Sequence, residues 1–155
     1  MTLLADVLLV EDKPADAELI ARALDASGSR QRVRVARDGA EAIDLLFARG
    51  ADVNWSLEPR PRLVLLDIKL PRVDGIEVLA ALKRDPRTQT IPVVMLTSSI
   101  VERDVAQCYA LGANAYVQKP MHFDQLRETI RRVSAFWLDV NVPPSPAGIP
   151  SPDRQ

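Results

Sequence analysis

A three-layer α/β domain built around a parallel sheet is the fold class this sequence predicts. Three observations carry that reading. The runs DVLLV (6–10), LVLL (63–66) and VVML (93–96) are short, rich in β-branched residues and unbroken by polar ones, as strands buried on both faces are. The segments between them place apolar residues at helical spacing. The 155-residue chain alternates the two kinds of segment without an internal repeat, and strands alternating with helices pack as helix, sheet and helix layers.

Taken in order, the first strand, DVLLV, runs into Glu11-Asp12. Pro14 follows, a residue suited to a first helical turn. Ile20 and Leu24 stripe that helix, with Asp16 and Glu18 on its polar side. RVRVA (32–36) alternates apolar and basic residues, which suits an edge strand. Ile43, Leu46 and Phe47 stripe the second helix. LVLL ends on Asp67, and the chain then turns through Pro71 to Asp74-Gly75. Ile76, Leu79 and Leu82 stripe the third helix. VVML ends at Thr97-Ser98, and Val101, Val105 and Cys108 stripe the fourth helix. AYVQ (115–118) is a short fifth strand ending at Lys119-Pro120. Leu126, Ile130, Val133 and Trp137 stripe the last helix, where Asp124 in the first turn suits the helix dipole and His122 stands at the cap. The most apolar strands, first, third and fourth, belong in the centre. That predicts a flavodoxin-like, doubly wound, five-stranded parallel sheet in the order 2-1-3-4-5, with right-handed crossovers placing helices on both faces.

One domain is expected over 1–138, followed by a Pro-rich tail over 139–155; five of the 12 prolines lie in NVPPSPAGIPSPDRQ. That tail is too short for a DNA-reading module. A net charge of −1 gives no reason to expect nucleic acid or an acidic membrane surface as a partner. The single cysteine, Cys108, allows no internal disulfide and suits a reducing compartment. The N-terminus lacks the basic start of a signal peptide, and no apolar run is long enough to span a membrane. A cytoplasmic protein is expected. The 6 glycines form neither a dinucleotide fingerprint nor a P-loop.

Ligands of such sheets bind beyond the carboxyl ends of the strands. Those ends carry Glu11 and Asp12, Asp67, Thr97 and Ser98, and Lys119. Carboxylates brought together raise one another's pKa unless a cation lies among them, and a hard divalent cation such as Mg²⁺ fits oxygen ligands. A carboxylate can also attack a phosphoryl group to form an aspartyl phosphate, with a lysine and a hydroxyl balancing charge on the phosphoryl oxygens. Lys119 and Thr97 supply those groups.

The set VLLVEDKPADAELI, LVLLDIKLPRVDGIEVL, VVMLTSS and GANAYVQKP, in this order, resembles the receiver domain of bacterial two-component response regulators from about Asp6 to Leu138. The resemblance implies roles residue by residue. Asp67 is the phosphoacceptor. Glu11 and Asp12 position Mg²⁺ together with Asp67 and the backbone carbonyl of Lys69. Lys119 pairs with the phosphoryl group, Thr97 senses it, and the rotamer of Tyr116 follows Thr97. Two features depart from the common pattern: the acidic pair is Glu-Asp, and Lys69 brings a cation to the rim. The link FARGADVNWSLEPRPRL and the segment FWLDVNVPP are similar to stand-alone receivers that partner phytochrome-type histidine kinases. That similarity implies such a kinase as phosphodonor, and a homodimer. Phe136, Trp137 and Leu138 point the same way, because three successive large apolar residues of a helix cannot all face one groove.

The expected function is a phosphorylation-driven switch without a DNA-binding output domain, catalysing only its own phosphorylation and dephosphorylation. Two alternatives stand beside it. One is a receiver-fold interaction module that works without phosphorylation. The other is an aspartyl-phosphate phosphatase, although such enzymes need a second acid where this chain has Lys69.

Overall fold

The computed structural model describes residues 6–25, 32–47 and 60–144. Five strands, β1 (Val7–Val10), β2 (Val33–Ala36), β3 (Leu63–Leu66), β4 (Val93–Thr97) and β5 (Ala115–Gln118), form one sheet in the order β2-β1-β3-β4-β5. Every pairing is parallel, with Val10 level with Leu66 and Leu66 level with Met95. The expected order is the observed one, and burial gives its reason. All residues of β1, β3 and β4 are buried, whereas β2 and β5 are largely half-exposed. Strands that are apolar on both faces take the centre, where helices cover both sides.

The helices are α1 (Pro14–Asp25), α2 (Gly39–Phe47), α3 (Gly75–Arg84), α4 (Glu102–Leu111) and α5 (Phe123–Ser134). Alternate strand residues face two cores. Leu8, Val10, Val64, Leu66, Val93 and Met95 pack with α2, α3 and α4 residues, Cys108 among them. Val7, Leu9, Leu63, Leu65, Val94 and Leu96 pack with Ile20 and Leu24 of α1 and Leu126, Ile130 and Val133 of α5. Asp74 caps α3 through a capping box. Its carboxylate accepts from the Glu77 N–H at 3.0 Å, and the Glu77 carboxylate accepts from the Asp74 N–H at 3.1 Å. His122 sits at the start of α5 without a side-chain capping bond.

Two expectations about the helices are corrected. Of the α4 stripe only Cys108 is fully buried; Val101 is the N-cap, 54% exposed, and Val105 is half-buried. The β4–α4 loop carries Val101 outside the helix, so the helical period does not begin there. The last helix is also not α-helical throughout. Residues Ala135–Val140 form a π-helix, closed by the Asn141 N–H donating to the Phe136 carbonyl at 2.7 Å. The wider turn lets Leu138 reach the core at 3% exposure while Trp137 still packs against it. Phe136 is left 49% exposed, its ring edge-on to Trp137 at 5.0 Å. The Arg62 guanidinium donates to the Leu138 carbonyl at 2.8 Å and ties this turn to the start of β3. Most of the long link, residues 48–59, and the tail from 145 onward lie outside the described residues.

Candidate phosphoacceptor and cation site

The parallel ladders deliver the charged residues to one rim. The Glu11 N–H extends the β1–β2 ladder to the Ala36 carbonyl at 3.0 Å, and the Asp67 N–H extends β3 to the Val10 carbonyl at 3.2 Å. On the far side the Lys119 N–H donates to the Thr97 carbonyl at 2.7 Å. Glu11, Asp67, Thr97 and Lys119 are all buried, at 1%, 7%, 1% and 6% exposure. Asp12 is half-buried beside them.

Glu11, Asp12 and Asp67 each present a carboxylate oxygen within 4.8 Å of the others. Three hard oxygen donors at such spacing fit a divalent cation that keeps some of its water. The Lys119 ammonium enters the same cluster. It donates to Glu11 Oε2 at 2.6 Å, to Asp67 Oδ2 at 3.1 Å and to Asp16 Oδ2 at 3.2 Å. Burial works against its charge, but the Glu11 hydrogen bond and the charges of Asp67 and Glu11 outweigh burial and raise its pKa. Burial raises the Glu11 pKa and the charge of Asp67 adds to this, against the opposing pull of Lys119. Several carboxylates sharing one ammonium leave the site with excess negative charge, the condition that a divalent cation relieves.

The loop after Asp67 fixes its carboxylate. Asp67 Oδ1 accepts from the Ile68 N–H at 2.7 Å. The Gly75 N–H donates to the Ile68 carbonyl at 2.7 Å, and a Cβ at Gly75 would lie 1.8 Å from the Asp67 carbonyl oxygen. Only glycine permits that approach. The far end of the loop is latched to the start of α2. A Cβ on Gly39 would meet the Val73 carbonyl oxygen at 1.8 Å, and Arg72, at φ 68°, donates to Asp38 Oδ1 at 3.2 Å. That left-handed backbone is uncommon for a long side chain and is held here from both ends.

Of the residues expected at the site, Glu11, Asp12, Asp67 and Lys119 lie together. Thr97 is buried at the end of β4, where its hydroxyl accepts from the Ser99 N–H at 3.4 Å. Tyr116 is half-buried, and its hydroxyl donates to the Ser99 carbonyl at 2.7 Å. Lys69 is exposed two residues beyond Asp67. Asp16 was not expected. Its place on the polar side of α1 concealed it, yet the first turn of the helix after β1 lies over the strand ends. That position is the signal by which it is found.

The model of the response regulator receiver domain matches residues 7–131. The chain is 43% identical over 141 residues to "Probable methanogenesis regulatory protein FilR2" of Methanothrix harundinacea, covering 91% of this chain and 88% of that one. It is 40% identical over 133 residues to response regulator Rcp1 of Synechocystis, covering 86% and 88%. The structure of the Mn²⁺-bound form of Rcp1 superposes with a TM-score of 0.84 at 39% identity, covering 91% of this chain and 99% of that chain. That of the phosphorylated cyanobacterial phytochrome response regulator RcpA superposes with a TM-score of 0.85 at 40% identity, covering 92% and 100%.

Proposed function

Because the chain belongs to the family of response regulator receiver domains, we propose that it is the phosphoryl-accepting switch of a two-component pair, taking a phosphoryl group from a histidine kinase onto Asp67. The observation that carries this reading is the buried contact of Lys119 with Glu11 and Asp67, beside three carboxylate oxygens within 4.8 Å.

In the transfer, an oxygen of the Asp67 carboxylate attacks phosphorus. The oxygen–phosphorus bond forms as the phosphorus–nitrogen bond of the phosphohistidine breaks, and the imidazole nitrogen keeps the electron pair. The Ile68 N–H holds one oxygen of the Asp67 carboxylate, so the nucleophile is aimed before the donor arrives. Mg²⁺, held by Glu11, Asp12, Asp67 and the Lys69 carbonyl, would neutralise charge on the transferring group. Lys119 then pairs with one phosphoryl oxygen, and the Thr97 hydroxyl donates to another. Tyr116 is already hydrogen-bonded to the β4–α4 loop through Ser99, so a shift at Thr97 reaches α4 and the β5 face together. The receiver's only chemistry is on its own Asp67, and its product is a conformational state. A separate phosphatase activity is disfavoured by the exposed Lys69 where a second acid would be needed.

Likeness to phytochrome response regulators supports a phytochrome-type kinase as the phosphodonor. Exposed Phe136 and Val140 at the end of the last helix, with exposed Val142 just beyond it, support a homodimer that covers them.

Intact mass after incubation with acetyl phosphate and Mg²⁺ tests the reading. The native chain should gain one phosphoryl group, Asp67→Asn none, and EDTA should abolish the gain. An adduct that persists in Asp67→Asn would overturn it.

A further inference from the structure

We propose that Asp16 is a positioning residue which anchors Lys119, allowing the ammonium and a divalent cation to occupy the site together. The inference rests on the cation site proposed above and adds a residue to it. An ammonium has three donors, and Lys119 directs them to Glu11, Asp67 and Asp16. Two of those partners, Glu11 and Asp67, belong to the carboxylate triad in which a cation would sit. A cation entering the triad therefore competes with Lys119 for both. Asp16 stands outside the triad, in the first turn of α1, with its side chain 18% exposed. It is the partner that Lys119 keeps when Glu11 and Asp67 turn to the metal.

The arrangement settles a charge problem. Without Asp16, both carboxylates left to the buried ammonium, Glu11 and Asp67, would be ones the divalent cation also uses, and each cation would weaken the other. With Asp16, the ammonium can cede oxygens without being left uncompensated, which is costly for a buried charge. Coupling between ammonium and metal is reciprocal, so its loss should be read equally well from the metal side.

The test is Mg²⁺ affinity by titration calorimetry on the native chain, Asp16→Asn, Lys119→Met and the double variant. Asp16→Asn should weaken Mg²⁺ binding about tenfold. In the Lys119→Met background the same change should shift it less than about twofold, because no ammonium remains to be anchored. Equal weakening in both backgrounds would mean that Asp16 acts on the cation directly, and unchanged affinity in Asp16→Asn would mean that it anchors nothing; either result overturns the proposal. Absence of Mg²⁺ binding by the native chain would overturn the cation site itself and the proposal with it. A second measurement needs no variant. The Lys119 ammonium signal in a proton–nitrogen NMR spectrum should stay protected from solvent exchange in Mg²⁺-saturated native protein, and its loss on adding Mg²⁺ would overturn the anchor.

Discussion

Replacing Gly75 with alanine should damage stability and phosphoryl transfer together. The added Cβ would lie 1.8 Å from the Asp67 carbonyl oxygen and 2.8 Å from the Ile68 Cα, where side-chain carbons essentially never come within 3.0 Å. Each of these neighbours is backbone, so no rotamer change relieves the clash. The loop must open by roughly 1 Å, which breaks the 2.7 Å bond from the Gly75 N–H to the Ile68 carbonyl. Overpacking costs about 1–3 kcal/mol and the lost hydrogen bond about 1 kcal/mol, so the loss is about 2–4 kcal/mol. At roughly 2–4 °C per kcal/mol for a chain of this size, Tm should fall by about 10 °C. The opening is transmitted to Asp67, and misplacing a reacting group by about 1 Å costs on the order of a hundredfold in rate. Urea unfolding monitored by circular dichroism gives the stability term, and the initial rate of acetyl phosphate labelling gives the other. A variant within 0.5 kcal/mol of the native chain that is labelled at the native rate would show that the loop yields freely, refuting a rigid backbone approach behind Asp67.

Other predictions follow from the same contacts. Asp74→Ala removes the capping box of α3 and should cost about 1 kcal/mol in urea unfolding. Gly112, the C-cap of α4, has φ 106°, and the atoms nearest its missing Cβ are side-chain carbons of Lys83 at 3.2 Å and beyond, so Gly112→Ala should cost about 1–2 kcal/mol through backbone strain and leave labelling of Asp67 unchanged. Burial, with the charges of Asp104 and Asp74, pushes the Cys108 thiol up to about 11. Its pKa is raised in the folded state, so its contribution to stability is full below the ordinary thiol range and is lost as pH rises from about 9 towards 11. A thiol reagent at pH 8 should leave native Cys108 unmodified and label it in urea. Tyr116→Phe deletes the bond to the Ser99 carbonyl, and hydrogen exchange in the β4–α4 loop should quicken while exchange in β1 stays the same.

Much of this fold is legible because hydrophobic runs report burial directly. LVLL and VVML contain no polar residue and occupy the centre, while the alternating arginines of the second strand keep it at the edge. The meeting of Glu11, Asp12 and Asp67 follows from the parallel order, since adjacent strands in a parallel sheet end on one rim. The unread parts have physical causes. Periodicity sorts a helix into apolar and polar sides, and a polar side can face either solvent or a site; Asp16 faces the site. Val101 shares the spacing of the α4 stripe, but the period has no meaning until the helix has begun. The wider turn at Ala135–Val140 has no signature in composition, because it comes from Leu138 and Trp137 both seeking the core.

That turn also governs direction. One residue of α-helix corresponds to about 100° of rotation about the axis. A π-helical segment takes up extra chain without advancing the screw as an α-helix would, so it works as a phase adjuster between the domain and whatever follows Val140. Deleting one residue there would either restore α-helical winding and keep the bearing of the downstream chain, or keep Leu138 seated and swing that chain around the axis. The bearing of the chain after Val140 is thus set by the packing of two side chains, Trp137 and Leu138.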